Sequence, residues 1–237
     1  QIATIREQHR IESFRSNFVH AMIHELKRPI ATLKMCVSYM GNEQLMQDVA
    51  NRQTVIADSH LALDSLSAYF AKLRDLTFSR ATEIPLNLSS FSLRDLLNIC
   101  IGKLNPSNNK KVVVNLHPDT DITITADKIH LINIIDNLLE NAVKYSREDV
   151  HIEIDYQEQD NDSIRISVKD NGLGISKSDS RHIFEKFYRS RAVIDKGIPG
   201  MGLGLTYVRM LVEAHRGTIR IESEQTSGST FIIELPQ

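Results

Sequence analysis

From Ile11 onward the apolar residues fall at Ile11, Phe14, Phe18, Met22, Leu26, Ile30, Leu33, Val37 and Met40, in steps of three or four. That spacing draws a single stripe along a helix of about eight turns. A helix this long with one apolar face must lay that face on something, which restricts the fold more than any other feature of the chain. Gly41-Asn42 interrupts the pattern, and a second set follows at Val49, Ile56, Leu63, Leu66, Phe70 and Leu73, mostly at heptad spacing. Two long helices joined by a short loop read as an antiparallel hairpin. One hairpin buries little by itself, so the pattern predicts that two copies pair into a four-helix bundle, a homodimer through the hairpin of residues 1–80.

Past residue 80 the pattern changes. Residues 81–91, with Pro85 and several Ser and Thr, read as a linker. Residues 92–237 then alternate helix-like and strand-like segments, as an α/β sandwich with a mixed sheet does. Ser92 caps a helix to about Lys103, strands VVVNL and ITIT flank the turn HPDTD, and Asp127 caps a helix to about Tyr145. HIEIDY and SIRISVKD are strands, a loop-rich stretch reaches Gly200, a helix runs from about Leu203 to His215, and TIRIES and STFIIEL close the sheet.

Charge and cysteine content exclude several classes. A net charge of −2, with 28 Lys and Arg spread along 237 residues, makes no basic field, so nucleic acid is not expected as a partner. Cys36 and Cys100 each lie in an apolar helical context, which reads as two buried thiols in a reducing cytoplasm. No run approaches the roughly 18 apolar residues of a membrane span. The chain opens on Gln1 rather than Met, which reads as a fragment whose membrane anchor or sensor, if it has one, lies further N-terminal.

Four stretches carry chemistry. In HELKRPI, His24 is about 200° around the helix from the apolar stripe and faces solvent, with Glu25 beside it to raise the basicity of the imidazole. Pro29 lacks the N–H that would bond the Glu25 carbonyl, an interior cost of roughly 3 kcal/mol that loosens the helix at the histidine. A surface histidine beside a tolerated kink fits the same residues. In NLLENAVKYS, Asn137, Asn141 and Lys144 share one helix face, with Tyr145 beside them. Two amide oxygens at that spacing suit Mg2+ with Lys144 near phosphate, although Asn also occurs on solvated helix faces. DNGLGI follows a strand, so Asp170 could accept from an exocyclic amine while Gly172 and Gly174 let backbone approach a flat ligand; a plain turn is the alternative. GMGLGL, with Gly200, Gly202, Gly204 and Leu205, opens a helix whose N-terminus suits phosphate, without the lysine of a P-loop.

In this order and spacing the segments resemble the boxes of bacterial sensor histidine kinases of two-component systems. FVHAMIHELKRPI is similar to the H box, NIIDNLLENAVKYS to the N box, DNGLGI to the first glycine box, IFEKFYRSR to the F box and GMGLGL to the second glycine box. The resemblance implies a dimerising phosphotransfer hairpin followed by an ATP-binding domain with a flexible lid between about Ile175 and Pro199. It implies that His24 takes a phosphoryl group from Mg–ATP, helped by Glu25, and passes it to an aspartate of a response regulator receiver domain. Asn141 would be the main Mg2+ ligand with Asn137 in support, Lys144 and Arg189 would neutralise phosphate, Tyr145 would pack on the nucleotide and Asp170 would recognise adenine. Gly172, Gly174, Gly200, Gly202, Gly204 and Leu205 would shape the pocket. The resemblance also implies an inner-membrane sensor as parent.

One departure from the pattern bears on function. Arg28 stands where Thr or Asn is usual in this subfamily, and a short polar side chain there orients water towards a phosphorylated regulator. Arginine is too long and carries no acceptor for that task. The chain is therefore expected to be a weak phosphatase, and Arg28→Thr to raise the hydrolysis of a phosphorylated receiver domain. Rapid hydrolysis by the unmodified chain would contradict this reading.

Overall fold

The computed structural model describes residues 23, 26–75, 81, 84–104, 110–146, 149–198, 200 and 202–237. It divides into two compact units, Gln1–Thr77 and Phe78–Gln237. No helix among the described residues is long and apolar enough to cross a membrane.

In the first unit, residues 26–40 form helix α1, which includes Pro29. A short α2 (Glu43–Met46) follows, with Asn42 as its cap: Oδ1 accepts from the Gln44 and Leu45 N–H groups at 3.1 and 3.2 Å. Helix α3 (Val49–Asp75) is the longest element described. Hydroxyls that would weaken these helices bond back four residues instead, Ser38 to Lys34 and Ser59 to Val55 among them. Among the described residues much of the predicted stripe stays exposed. Val49, Ile56, Leu63 and Phe70 are 49–59% exposed, and the buried positions are Cys36, Val55 and Ala62.

The second unit is built on a five-stranded mixed sheet in the order β2-β4-β5-β7-β6. Its strands are β2 (Lys111–His117), β4 (Asp149–Gln159), β5 (Ser163–Asp170), β6 (Thr218–Ser223) and β7 (Ser229–Pro236). β2 pairs parallel with β4, and the other neighbours are antiparallel. Strict alternation along β4 buries Val150, Ile152, Ile154 and Tyr156 on one face, and β5 does the same with Ile164, Ile166 and Val168. Helices α4 (Leu93–Gly102), α5 (Lys128–Tyr145) and α7 (Gly204–Ala214) supply the opposing layer. Leu131, Ile134, Ile135, Leu138 and Leu139 make the buried face of α5, in steps of one, three and four. Both cysteines are buried and free.

One local expectation changes. Part of the expected linker is strand: β1 (Leu88–Ser92) pairs antiparallel with β3 (Thr123–Asp127) in a separate two-stranded sheet. LSSFS is too short and polar to read as a strand alone, and its pairing partner lies 35 residues away at Thr125↔Ser90. The turn HPDTD lies between strands β2 and β3, as expected, and these two strands belong to different sheets. It sends the chain from the large sheet to the small one, held by the Tyr156 hydroxyl on Thr120 O (2.6 Å) and by the Arg94 guanidinium on Pro118 O and Asp119.

Asp127 joins these layers. Its Oδ1 accepts from His130 N (3.0 Å) as the cap of α5, and its Oδ2 accepts from Asn87 N (2.8 Å). Burial works to raise its pKa, but these hydrogen bonds outweigh burial and hold it below the usual carboxylate value. The Asp127 N–H in turn donates to Nε2 of buried His215, just past α7, at 3.0 Å. Nδ1 of His215 lies 2.8 Å from Leu211 O, which can only accept, so the neutral ring carries its proton on Nδ1.

Burial lowers the pKa of His215, aided by the neighbouring His130 and opposed by the Leu211 bond and Asp127. Between that lowered value and the ordinary unfolded value of about 6.5, the unfolded chain holds the proton and the folded chain does not. Stability is thus full above that range and lost as pH falls through it. Thermal melting from about pH 7 to pH 5 should show a steeper decline for the unmodified protein than for His215→Gln, and parallel curves would contradict this assignment.

Candidate functional site

The last turn of α5, the end of β5, the segment 171–203 and the first turn of α7 converge on one cavity of about 100 Å3. Its polar lining is Asn141, Tyr145, Asp170, Arg189, Ser190 and Ser229, and its apolar lining includes Leu173, Ile175, Ile183, Val193, Leu205 and Phe231. Tyr188 and Gly174 complete it.

Asp170 ends β5 on the buried face, because the alternation that points Ile166 and Val168 inward continues to it. Its Oδ1 accepts from Gly172 N at 2.7 Å, and the Ser229 N–H also bonds to the carboxylate. Burial raises its pKa, and these two N–H donors work against that rise. A carboxylate in an otherwise apolar slot is an acceptor without water to compete for it. Asn171 does not enter the cavity. Its Oδ1 accepts from His151 N (2.9 Å) and its Nδ2 donates to Asp149 O (3.0 Å), which fixes the turn that follows Asp170.

Glycines let this wall close. A Cβ on Gly172 would stand 2.7 Å from Asp170 Oδ1 and 3.0 Å from Tyr145 O. Gly174 has φ +66° and lies against the Glu224 carbonyl, so any side chain there meets both strain and collision. Gly202 packs on the backbone of Phe187 and Tyr188, and its carbonyl accepts from Phe187 N at 2.9 Å.

On the opposite side, α5 presents the amides. Asn137 Nδ2 donates to Asn133 O at 2.6 Å, which leaves Oδ1 as the end turned to Gly204, 3.3 Å from where its Cβ would be. Asn141 Nδ2 is 3.9 Å from that same point. Lys144 Nζ lies 5.5 Å from the centre of the Tyr145 ring and 2.5 Å from the Cβ position of Gly200. The N-cap residue of α7, Leu203, makes no side-chain capping bond, and the first turn of the helix lies with its positive dipole end beside these residues. Arg189 donates from Nη2 to Ile198 O, and its Nε is buried without a hydrogen-bond partner. Burial raises the pKa of Tyr145 and pushes that of Tyr188 up to about 12, where the hydroxyl also donates to Asp179 Oδ1 at 2.5 Å.

Asn141, Tyr145, Asp170, Gly174, Arg189 and Leu205 thus line the cavity, and Asn137, Lys144, Gly172, Gly200, Gly202 and Gly204 border it. His24 and Glu25 lie outside the described residues. Sequence reasoning passed over Ser229 and Phe231. The alternation of STFIIEL places both on the face that carries Asp170 and Val168, their partners in the β5–β7 register, so the signal was present.

The donor set fits a hard cation held in part by its ligand. Two amide oxygens suit Mg2+, and among the described residues no group of three or more His, Cys, Asp or Glu is placed to hold a metal. Buried Arg189 Nε and the start of α7 suit an anion. The slot can therefore take a flat base at Asp170 with a phosphate chain running toward α7.

Residues 126–237 match the family described as histidine kinase-, DNA gyrase B- and HSP90-like ATPases. Over 239 residues the chain is 28% identical to the sensor protein RprX of Bacteroides fragilis, an alignment covering 99% of this chain and 46% of that protein. It is likewise 28% identical to the sensor histidine kinase WalK of Bacillus subtilis, covering 99% of this chain and 39% of that protein. The chain thus spans less than half the length of either. Among solved structures, full-length ShkA in complex with AMPPNP superposes with a TM-score of 0.64 at 23% identity, covering 93% of this chain and 45% of that one. The Acinetobacter baumannii histidine kinase AdeS gives a TM-score of 0.56 at 19% identity, with 90% of this chain and 97% of that one covered.

Proposed function

We propose that this chain, a relative of the sensor histidine kinases whose residues 126–237 belong to the histidine kinase-, DNA gyrase B- and HSP90-like ATPases, is the ATP-dependent kinase core of a two-component sensor. The observation that carries the reading is the buried Asp170 carboxylate in one cavity with Asn141, Tyr145, Arg189 and Leu205 at the start of α7. Asp170 accepts from the exocyclic amine of adenine, and Tyr145 packs on the base. Asn141, with Asn137, turns its amide oxygen to Mg2+, while Lys144 and Arg189 hold the phosphate oxygens. Mg2+, held by these amide oxygens, would supply charge neutralisation at the phosphates.

The imidazole of His24 attacks the γ-phosphorus: a P–N bond forms, the P–O bond to the β-phosphate breaks, and ADP leaves. Glu25 orients the ring and holds its other N–H. Positioning and charge neutralisation supply most of the catalysis, because the transition state of such a transfer is loose. The segment 175–198 acts as the lid over the nucleotide. An aspartate of a response regulator receiver domain then takes the phosphoryl group. Exposed Val49, Ile56, Leu63 and Phe70 support the pairing of two hairpins into a four-helix bundle. As the resemblance to sensor histidine kinases implies, the parent protein would be an inner-membrane sensor.

Incubation with ATP labelled at the γ-phosphate should place acid-labile, alkali-stable label on the protein, absent from His24→Gln and from Asp170→Asn. Label retained by His24→Gln would remove the assigned acceptor, and label retained by Asp170→Asn the assigned base contact. In light scattering at micromolar concentration the protein should have twice the mass of one chain, and a monomer would contradict the bundle.

A further inference from the structure

Helix α5 ends at the site, and the last four carbonyls of any helix have no partner within it. In α5 three of these four, those of Ala142, Val143 and Tyr145, are met by named donors. Ala142 O accepts from the N–H and the hydroxyl of Ser146, at 3.1 and 2.5 Å, and Tyr145 O accepts from Leu173 N at 3.1 Å in the turn after Asp170. The remaining donor comes from elsewhere in the sequence. Lys110, just before β2, puts its part-buried ammonium on Val143 O at 2.8 Å and on Ser146 O at 2.9 Å.

Two consequences follow from that placement. One ammonium spans the end of the helix, from its last turn to the residue beyond it, and so fixes the turn that carries Asn141, Lys144 and Tyr145. It also sets a positive charge at the negative end of the helix dipole, where a cation is favourable. A charge-assisted hydrogen bond to a part-buried carbonyl is stronger than a neutral one, and its loss leaves the carbonyl exposed to competing partners.

We propose that Lys110 is a positioning residue of the nucleotide site: it touches no part of the nucleotide and acts by holding the last turn of α5 in the orientation that Asn141, Lys144 and Tyr145 need. The inference rests on the nucleotide reading given above. It assigns a role in binding to a residue that lies 23 positions before the segment NIIDNLLENAVKYS begins at Asn133.

Titration of the full chain with Mg2+ and a non-hydrolysable ATP analogue tests it, with Lys110→Met and Lys110→Arg beside the unmodified protein and every sample held below its melting temperature. Lys110→Met should bind about ten-fold more weakly, and Lys110→Arg, which keeps charge and donors, should recover most of that loss. A role confined to stability would lower the melting temperature of Lys110→Met and leave the affinity of the folded protein unchanged, and that result would overturn the proposal while the nucleotide reading stands. No binding by the unmodified chain would overturn both. Should Lys110→Met fail to fold, the shorter, uncharged Lys110→Gln carries the same comparison, with weakened binding expected and unmodified affinity fatal to the idea.

Discussion

Both ends of a single buried helix are tied by polar groups, and the rest of the second unit is arranged around that fact. At the start of α5, the Asp127 carboxylate satisfies His130 N and Asn87 N while its own N–H is met by His215. At the far end, Ser146, Lys110 and Leu173 satisfy the carbonyls of Ala142, Val143 and Tyr145. Between them, the apolar face of α5 lies buried in the core that it shares with the sheet. A helix free to slide or rotate by a fraction of a turn would keep most of that apolar contact, because burial is not directional. Hydrogen bonds at the two termini are directional, and they set the register that puts Asn141 and Tyr145 on the cavity.

The same logic explains why the site sits where the sheet stops. Asp170 occupies a core-facing position by the alternation of β5, where burial works against a charged group. Two backbone N–H groups, from Gly172 and Ser229, supply what water would otherwise give. Those donors can come close only because Gly172 has no side chain: a Cβ there would collide with the carboxylate it serves. The folded protein thus keeps a strong acceptor in an apolar slot at some expense in stability, a compromise typical of binding sites rather than of cores.

Much of this was legible in the chain. The helix caps at Ser92 and Asp127, the strands around Asp170 and the turn glycines all follow from local chemistry, since a cap or a turn needs only a few neighbouring residues. Strand β1 was not, because LSSFS has no pattern of its own and is strand by virtue of a distant partner. Lys110 was invisible for the same reason: nothing near it in sequence tells that its ammonium will reach the end of a helix more than 30 residues on, at Val143. Ser229 and Phe231 lie between these cases, since their facing was readable and their nearness to Asp170 required the strand order.

The first unit presents the opposite physical situation. Heptad positions Val49, Ile56, Leu63 and Phe70 follow a spacing as regular as any in the chain, yet all four stand half exposed, and the positions that are covered, Val55 and Ala62, lie on a neighbouring line of the same helix. An amphipathic helix offers one face to each partner, so one line of contact within the chain and a second, more apolar line left open means that the sequence encodes a surface the single chain does not cover. Periodicity gave the helix and its heptad line but did not mark Val55 and Ala62, the positions that are buried. Side-chain size does not separate the two lines, since buried Val55 and half-exposed Val49 are the same residue type; what separates them is which line faces a neighbour, and that is set by tertiary packing.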